Sequence, residues 1–127
     1  MHSFPDHTFS LATSTDSAGD VSITITGDLD YDTSDELLAT AERQLERRPA
    51  PRHLRLDCAR LAGCDSAGLS ILLMIRRRAD VTGTRLHLDN RPAALERVLG
   101  ITGTLAHFTD APAPERPAPE QPAPGQP

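Results

Sequence analysis

Between Val21 and Leu99 the hydrophobic period switches repeatedly between two residues and about 3.6. This alternation constrains the fold more than any other feature. Strands separated by helices pair in parallel, because parallel neighbours need a long crossover, and such crossovers are right-handed. Val21, Ile23 and Ile25 share one side of a strand, with Ser22, Thr24 and Thr26 on the other. Before it, Phe9, Leu11 and Thr13 mark a first strand, and Asp16 to Asp20 a turn. Gly27 to Asp32 reads as a loop. Thr33 with Glu36 predicts a capping box opening a helix with the stripe Leu37, Leu38, Ala41 and Leu45, ended by Pro49 and Pro51. His53 to Cys58 is a third strand and Arg60 to Gly63 a turn. A second helix runs from about Ser66 to Val81, with Arg76, Arg77 and Arg78 in its last turns and Gly83 as its stop. Arg85 to Asp89 is a fourth strand. Asn90 caps a third helix carrying Leu95, Val98 and Leu99, with Gly100 as its stop, and Leu105 to Phe108 is a last short strand. The expected class is α/β: a mixed sheet of four to five strands with helices mainly on one face, the other face being less well buried.

Most of the eleven prolines fall in one place, the run APAPERPAPEQPAPGQP from Ala111 to Pro127. With no bulky apolar side chain it cannot offset its ordering entropy, so residues 1–110 are expected to form the domain and 111–127 an extended, disordered tail. A spacer role is preferred for this tail over a docking peptide, since flanking basic anchors are missing. The net charge is −5 and aromatics make up 3% of the chain. A nucleic-acid binder needs phosphate neutralisation and base stacking, and this composition supplies little of either. No apolar run is long enough for a membrane span, and no leader opens the sequence. With only two cysteines, a cytoplasmic location is expected.

Cys58 and Cys64 are read as small buried side chains, and neither a metal site nor a cofactor site is expected. The histidines are read as standing alone. His53, His87 and His107 have no evident orienting acid, and no Gly-x-Ser-x-Gly elbow occurs, so the chain is not expected to be an enzyme. The segment from Leu56 to Leu69 joins the third strand to the second helix and sets Asp65, Ser66 and Gly68 at the helix N-terminus. That position suits an anion, including a phosphate on a serine. On spacing alone, the commoner use of Asp65 or Ser66 as a plain helix cap is preferred.

Asp65-Ser-Ala-Gly-Leu69, behind Leu54-Arg-Leu-Asp-Cys58 and ahead of an apolar helix, resembles the signature of STAS domains, more narrowly the bacterial anti-sigma factor antagonists. Gly27-Asp-Leu-Asp30 resembles the family's acidic loop. Gly83-Thr-Arg-Leu-His-Leu88 resembles its fourth strand, and Leu95 to Phe108 its closing helix and end. The resemblance implies a phosphorylation switch. The protein binds an anti-sigma factor that is itself a serine kinase, is released when Ser66 is phosphorylated, and is restored by a serine phosphatase. It implies a partner surface of Asp28, Asp30, Asp65, Ser66, Ala67, Gly68 and Ser70, with Met74 and Arg77 as further candidates. Leu69, Leu72 and Leu73 are expected in the core. Asp30 has two readings, orienting the serine or kinase, or making a turn with its own backbone. Gly68 is expected to admit a partner or the preceding loop closely. A monomer is expected when unbound. The alternative role is a non-phosphorylated STAS scaffold or subunit of a transport assembly; a weaker third is small-ligand binding at the helix N-terminus.

Overall fold

The computed structural model describes residues 9 to 104 and Phe108. The proline-rich segment and Leu105 to His107 lie outside the described residues. The elements are β1 (Ser10–Thr15), β2 (Val21–Leu29), α1 (Ser34–Leu45), β3 (His53–Cys64), α2 (Ser66–Thr82), β4 (Arg85–Asp89) and α3 (Ala93–Ile101). They build a mixed α/β fold. The sheet runs β1-β2-β3-β4, with β1 antiparallel to β2 and the other neighbours parallel.

The two-residue period of the strands sorts the sheet into two faces. Val21, Ile23, Ile25, Leu54, Leu56, Leu86 and Leu88 point one way and are buried. Leu37, Ala41 and Leu45 of α1 and Leu72, Ile75 and Ala79 of α2 join them in one hydrophobic cluster. The helices cover this face because each crossover returns on the same side. Leu69 and Leu72 are core residues and Leu73 packs against the core from a half-buried position. The opposite face carries Ser22, Thr24, Arg55 and Asp57, exposed or half-buried.

Several boundaries differ from the sequence expectation. Gly27 to Leu29 extends β2, and Arg60 to Gly63 is strand, because the ladder continues through two register shifts to pair Gly27 with Leu61 and Leu29 with Cys64. A bulge breaks the alternation while leaving the strands paired. Gly27 sits at φ 100, a backbone conformation that favours glycine. Thr33 occupies the α1 N-cap without capping it. Its hydroxyl donates to the Asp28 carbonyl at 2.8 Å and accepts the Asp30 N–H at 2.9 Å. Asn90 does not cap α3. It lies at φ 57, and its Nδ2 donates to Asp57 Oδ1 at 3.0 Å; Pro92 takes the N-cap position. Nor does α3 stop at Gly100. It reaches Ile101 and closes at Gly103, φ 74, with the Thr104 N–H donating to the Leu99 carbonyl. Phe108 is a buried turn residue.

The stop at Gly83 is as expected, with φ 77 and its N–H returned to the last turn of α2. The three arginines precede that last turn. Arg76 pairs with Asp80 at 3.3 Å, and Arg78 pairs with Glu42 of α1.

Leu72→Ala should cost about 2–5 kcal/mol in urea-unfolding free energy. Val81→Ala, on the same helix but 83% exposed, should stay within about 0.5 kcal/mol. The Asn90 amide, and then the Ala59 N–H, hold the Asp57 carboxyl below its ordinary value of 3.8. A depressed folded value stabilises above the unfolded pKa and stops doing so as pH falls through the folded one. Asn90→Gly, which tolerates the positive φ, should therefore be less stable than wild type near neutral pH. The difference should close below about pH 3.8 in acid-titrated unfolding curves.

Candidate functional site

Parallel pairing brings the C-terminal ends of β2 and β3 side by side, Asp28 opposite Gly63 and Leu29 opposite Cys64. In open α/β sheets this edge is where ligands gather, because the loops leaving the strands face one another there. The chain leaves β2 through the turn Asp30 to Thr33 and leaves β3 directly into α2.

Asp65 makes that second transition. It is extended, φ −96 and ψ −171, and its carboxylate accepts the Gly68 N–H at 2.9 Å. Its own N–H donates to the Leu29 carbonyl at 3.2 Å, tying α2 to the neighbouring strand. Ser66 is the first helical residue and is exposed. A helix start leaves its first N–H groups without intrahelical partners and carries the positive end of the dipole. The Asp65 carboxylate uses one of those donors, at Gly68.

Gly68 is buried against β2. A Cβ there would lie 2.5 Å from the Leu29 carbonyl oxygen and 2.9 Å from Cys64 Sγ. The close approach it permits is thus to its own chain. Sequence reasoning passed over Gly63, where a Cβ would meet Asp28 Oδ1 at 3.0 Å, so the Asp28 carboxylate lies over the end of β3. The strand pairing that creates this contact has no local signal.

The Asp30 carboxylate is turned into its own loop. Its Oδ1 accepts from the N–H groups of Asp32 at 2.9 Å and Thr33 at 3.2 Å, which is the turn-forming reading of this residue. Tyr31, between these acids, is 81% exposed and was also passed over. Asp28, Asp65, Ser66 and Ser70 are exposed, and Asp30 and Ala67 half-buried.

Burial pushes the Cys58 thiol up to about 12, with the Asp57 charge adding to it. Burial likewise takes Cys64 to about 11, with the Asp65 charge adding. Both stay protonated at neutral pH, unlike reactive thiolates. Cys58 is buried and Cys64 half-buried. Among the described residues no group of three or more His, Cys, Asp or Glu side chains could hold a metal. No helix among them is long and apolar enough to cross a membrane. His53 and His87 do not stand alone; their Nδ1 and Nε2 atoms lie 2.9 Å apart. His107 is outside the described residues.

A family model described as "Mlab, STAS domain" matches residues 13–105. An anti-sigma factor antagonist from Mycobacterium paratuberculosis is similar in structure at a TM-score of 0.70 and 20% identity, over 84% of this chain and 87% of that one. The Bacillus cell fate determinant SpoIIAA in its phosphorylated form is similar at 0.63 and 21%, over 84% and 95%. A sulfate transporter family protein from Wolinella succinogenes is similar at 0.65 and 18%, over 76% of each chain. At these identities the likeness is one of fold. No curated protein matches the chain in sequence.

Gly68→Ala should destabilise the protein by about 1–3 kcal/mol, since the Leu29 backbone must move. Asp65→Ala should cost about 1 kcal/mol through loss of the cap. Thermal melts of the two variants check both figures; a Gly68→Ala protein as stable as wild type would contradict the close approach.

Proposed function

The chain belongs to the STAS domain family, and on that premise we propose that it is an anti-sigma factor antagonist switched off by phosphorylation of Ser66. The observation that carries this reading is Ser66 itself. It is an exposed hydroxyl on the first residue of α2, held behind an extended Asp65 at the edge where β2 and β3 end.

The reading assigns the contact surface to Asp28, Asp30, Asp65, Ser66, Ala67 and Ser70, with Gly68 contributing by letting α2 sit against β2. The partner is an anti-sigma factor with serine kinase activity, and a serine phosphatase resets the switch. The protein is then a binding module and a kinase substrate rather than an enzyme, a cytoplasmic monomer when unbound.

A phosphate on Ser66 adds about −1.5 to −2 charge and considerable bulk in the middle of this surface. The first N–H groups of α2 and the helix dipole can stabilise it within the free protein. Against a partner it must be desolvated beside Asp28 and Asp65, which is costly for like charges. A hundredfold loss of affinity requires only about 2.7 kcal/mol. Asp30 contributes by shaping the loop, since its carboxylate is engaged in the turn.

The second reading is a STAS subunit of a transport assembly without phosphoryl chemistry. The Wolinella sulfate transporter family protein, covered over 76% of its length, favours it. A pull-down from the native cells separates the two: a small ATP-binding kinase supports the first, membrane-transport subunits the second.

Incubation with the kinase and ATP should add one phosphate to the wild-type protein and none to Ser66→Ala, read by intact-protein mass spectrometry. Ser66→Asp should weaken kinase binding by at least tenfold in titration calorimetry. Phosphate incorporation into Ser66→Ala would refute the assignment.

A further inference from the structure

Among the described residues, the large apolar or aromatic side chains that stay exposed are Tyr31, Val81 and Ile101. Val81 lies in the last turn of α2, and Ile101 ends α3. Tyr31 is placed differently. Leu29 and Cys64 pair at the ends of β2 and β3. Tyr31 follows Leu29 by two residues, and Ser66 follows Cys64 by two. The ring and the serine therefore leave the same edge of the sheet, close to its last paired positions.

The backbone on both sides of Tyr31 is fixed. The Asp30 N–H donates to Thr33 Oγ1 at 2.9 Å, and the Asp32 N–H donates to Asp30 Oδ1 at 2.9 Å. The Thr33 and Ser34 N–H groups both donate to the Asp30 carbonyl, at 3.1 and 2.8 Å. A tyrosine has few side-chain torsions, so a ring carried on such a turn loses little entropy when a partner encloses it. Enclosure also removes its apolar surface from water.

We propose that Tyr31 is the anchor by which the anti-sigma factor kinase holds this chain, its ring entering an apolar pocket rimmed by arginine or lysine side chains. The inference rests on the reading of Ser66 as the switch, and adds to it the residue and the partner chemistry that select this chain.

The basic rim follows from charge. Asp32, Asp35 and Glu36 follow the ring into α1 and are exposed. No basic residue occurs between 27 and 42 or between 61 and 75, the two segments that build this edge. The ion pairs of the described residues use Glu42, Asp80, Asp89 and Glu96 instead. A partner's cation set against the acids of α1 also comes within reach of the ring face, which attracts Arg and Lys. An aromatic ring among uncompensated acids rejects an acidic partner face and gains little from a wholly apolar one. The phosphate acts at the start of α2, so anchor and switch are separate parts of one surface.

Titration calorimetry with the kinase that serves for the Ser66→Ala comparison tests the anchor. Tyr31→Ala should bind about thirtyfold more weakly than wild type, which is about 2 kcal/mol, the loss expected of a central aromatic contact. Its thermal melt should match wild type, because the side chain is exposed. Tyr31→Phe keeps the ring and should recover most of the affinity. In phosphorylation assays Tyr31→Ala should raise KM and leave kcat unchanged, the mark of a contact made equally in the ground and transition states. Asp32→Asn combined with Glu36→Gln should flatten the fall of affinity with added salt. Wild-type affinity in Tyr31→Ala, or a Tyr31→Phe as weak as Tyr31→Ala, would overturn the anchor while leaving Ser66 as the switch. An unchanged salt dependence in the charge variant would overturn the basic rim. Failure of the switch reading shows separately, as a wild-type chain that takes no phosphate on Ser66, and it removes the anchor with it.

Discussion

The start of α2 can lie against the end of β2 only because residue 68 has no side chain. Leu29 is fully buried, its carbonyl takes the Asp65 N–H, and a Cβ at position 68 would stand 2.5 Å from that oxygen. This one approach sets the height and direction at which α2 leaves the sheet. From it follow the burial of Leu69, Ile71, Leu72 and Ile75 and the outward placement of Ser66. The rest of the apolar face is organised around the helix so positioned. The packing of α1 beside α2, with Arg78 reaching Glu42, closes the layer.

The C-terminal end of the parallel strands and the polar face of the sheet are held together in different ways. At the C-terminal end the backbone is pinned, by Asp30 and Thr33 in one loop and Asp65 in the other, while Ser66 and Tyr31 face solvent. In the proposed partner complex, a backbone already pinned before contact would lower the entropic cost of binding. On the polar face, side chains join β3 to β4 and to the residue that follows it in a staggered series: His53 to His87, Arg55 to Asp89, and Asp57 to Asn90.

Much of the fold was legible in the chain, and so was the local frame of the candidate site. The order of elements, the limits of α2 at Ser66 and Gly83, and the cap at Asp65 depend on residues within a few places of each other. The apolar stripes of α1 and α2 also survive intact in the core. Three features were misread where a local pattern had a second use. Thr33 anchors its loop rather than capping α1, Asn90 bonds across to Asp57, and α3 closes on Gly103 instead of Gly100.

What the sequence determined by itself was whatever hydrophobic period and capping chemistry can encode locally: the α/β alternation, the helix that begins at Ser66, and the motif that relates the chain to its family. Only the tertiary structure decided the continuation of β2 and β3 past their bulges, the Asp28 carboxylate over Gly63, the fit of Gly68 against Leu29, and the meeting of His53 with His87. Each of those depends on the register between strands or on how a helix seats against one. Register is set by the summed packing of a whole face, and residues that it brings together, such as 53 and 87, share no local signal.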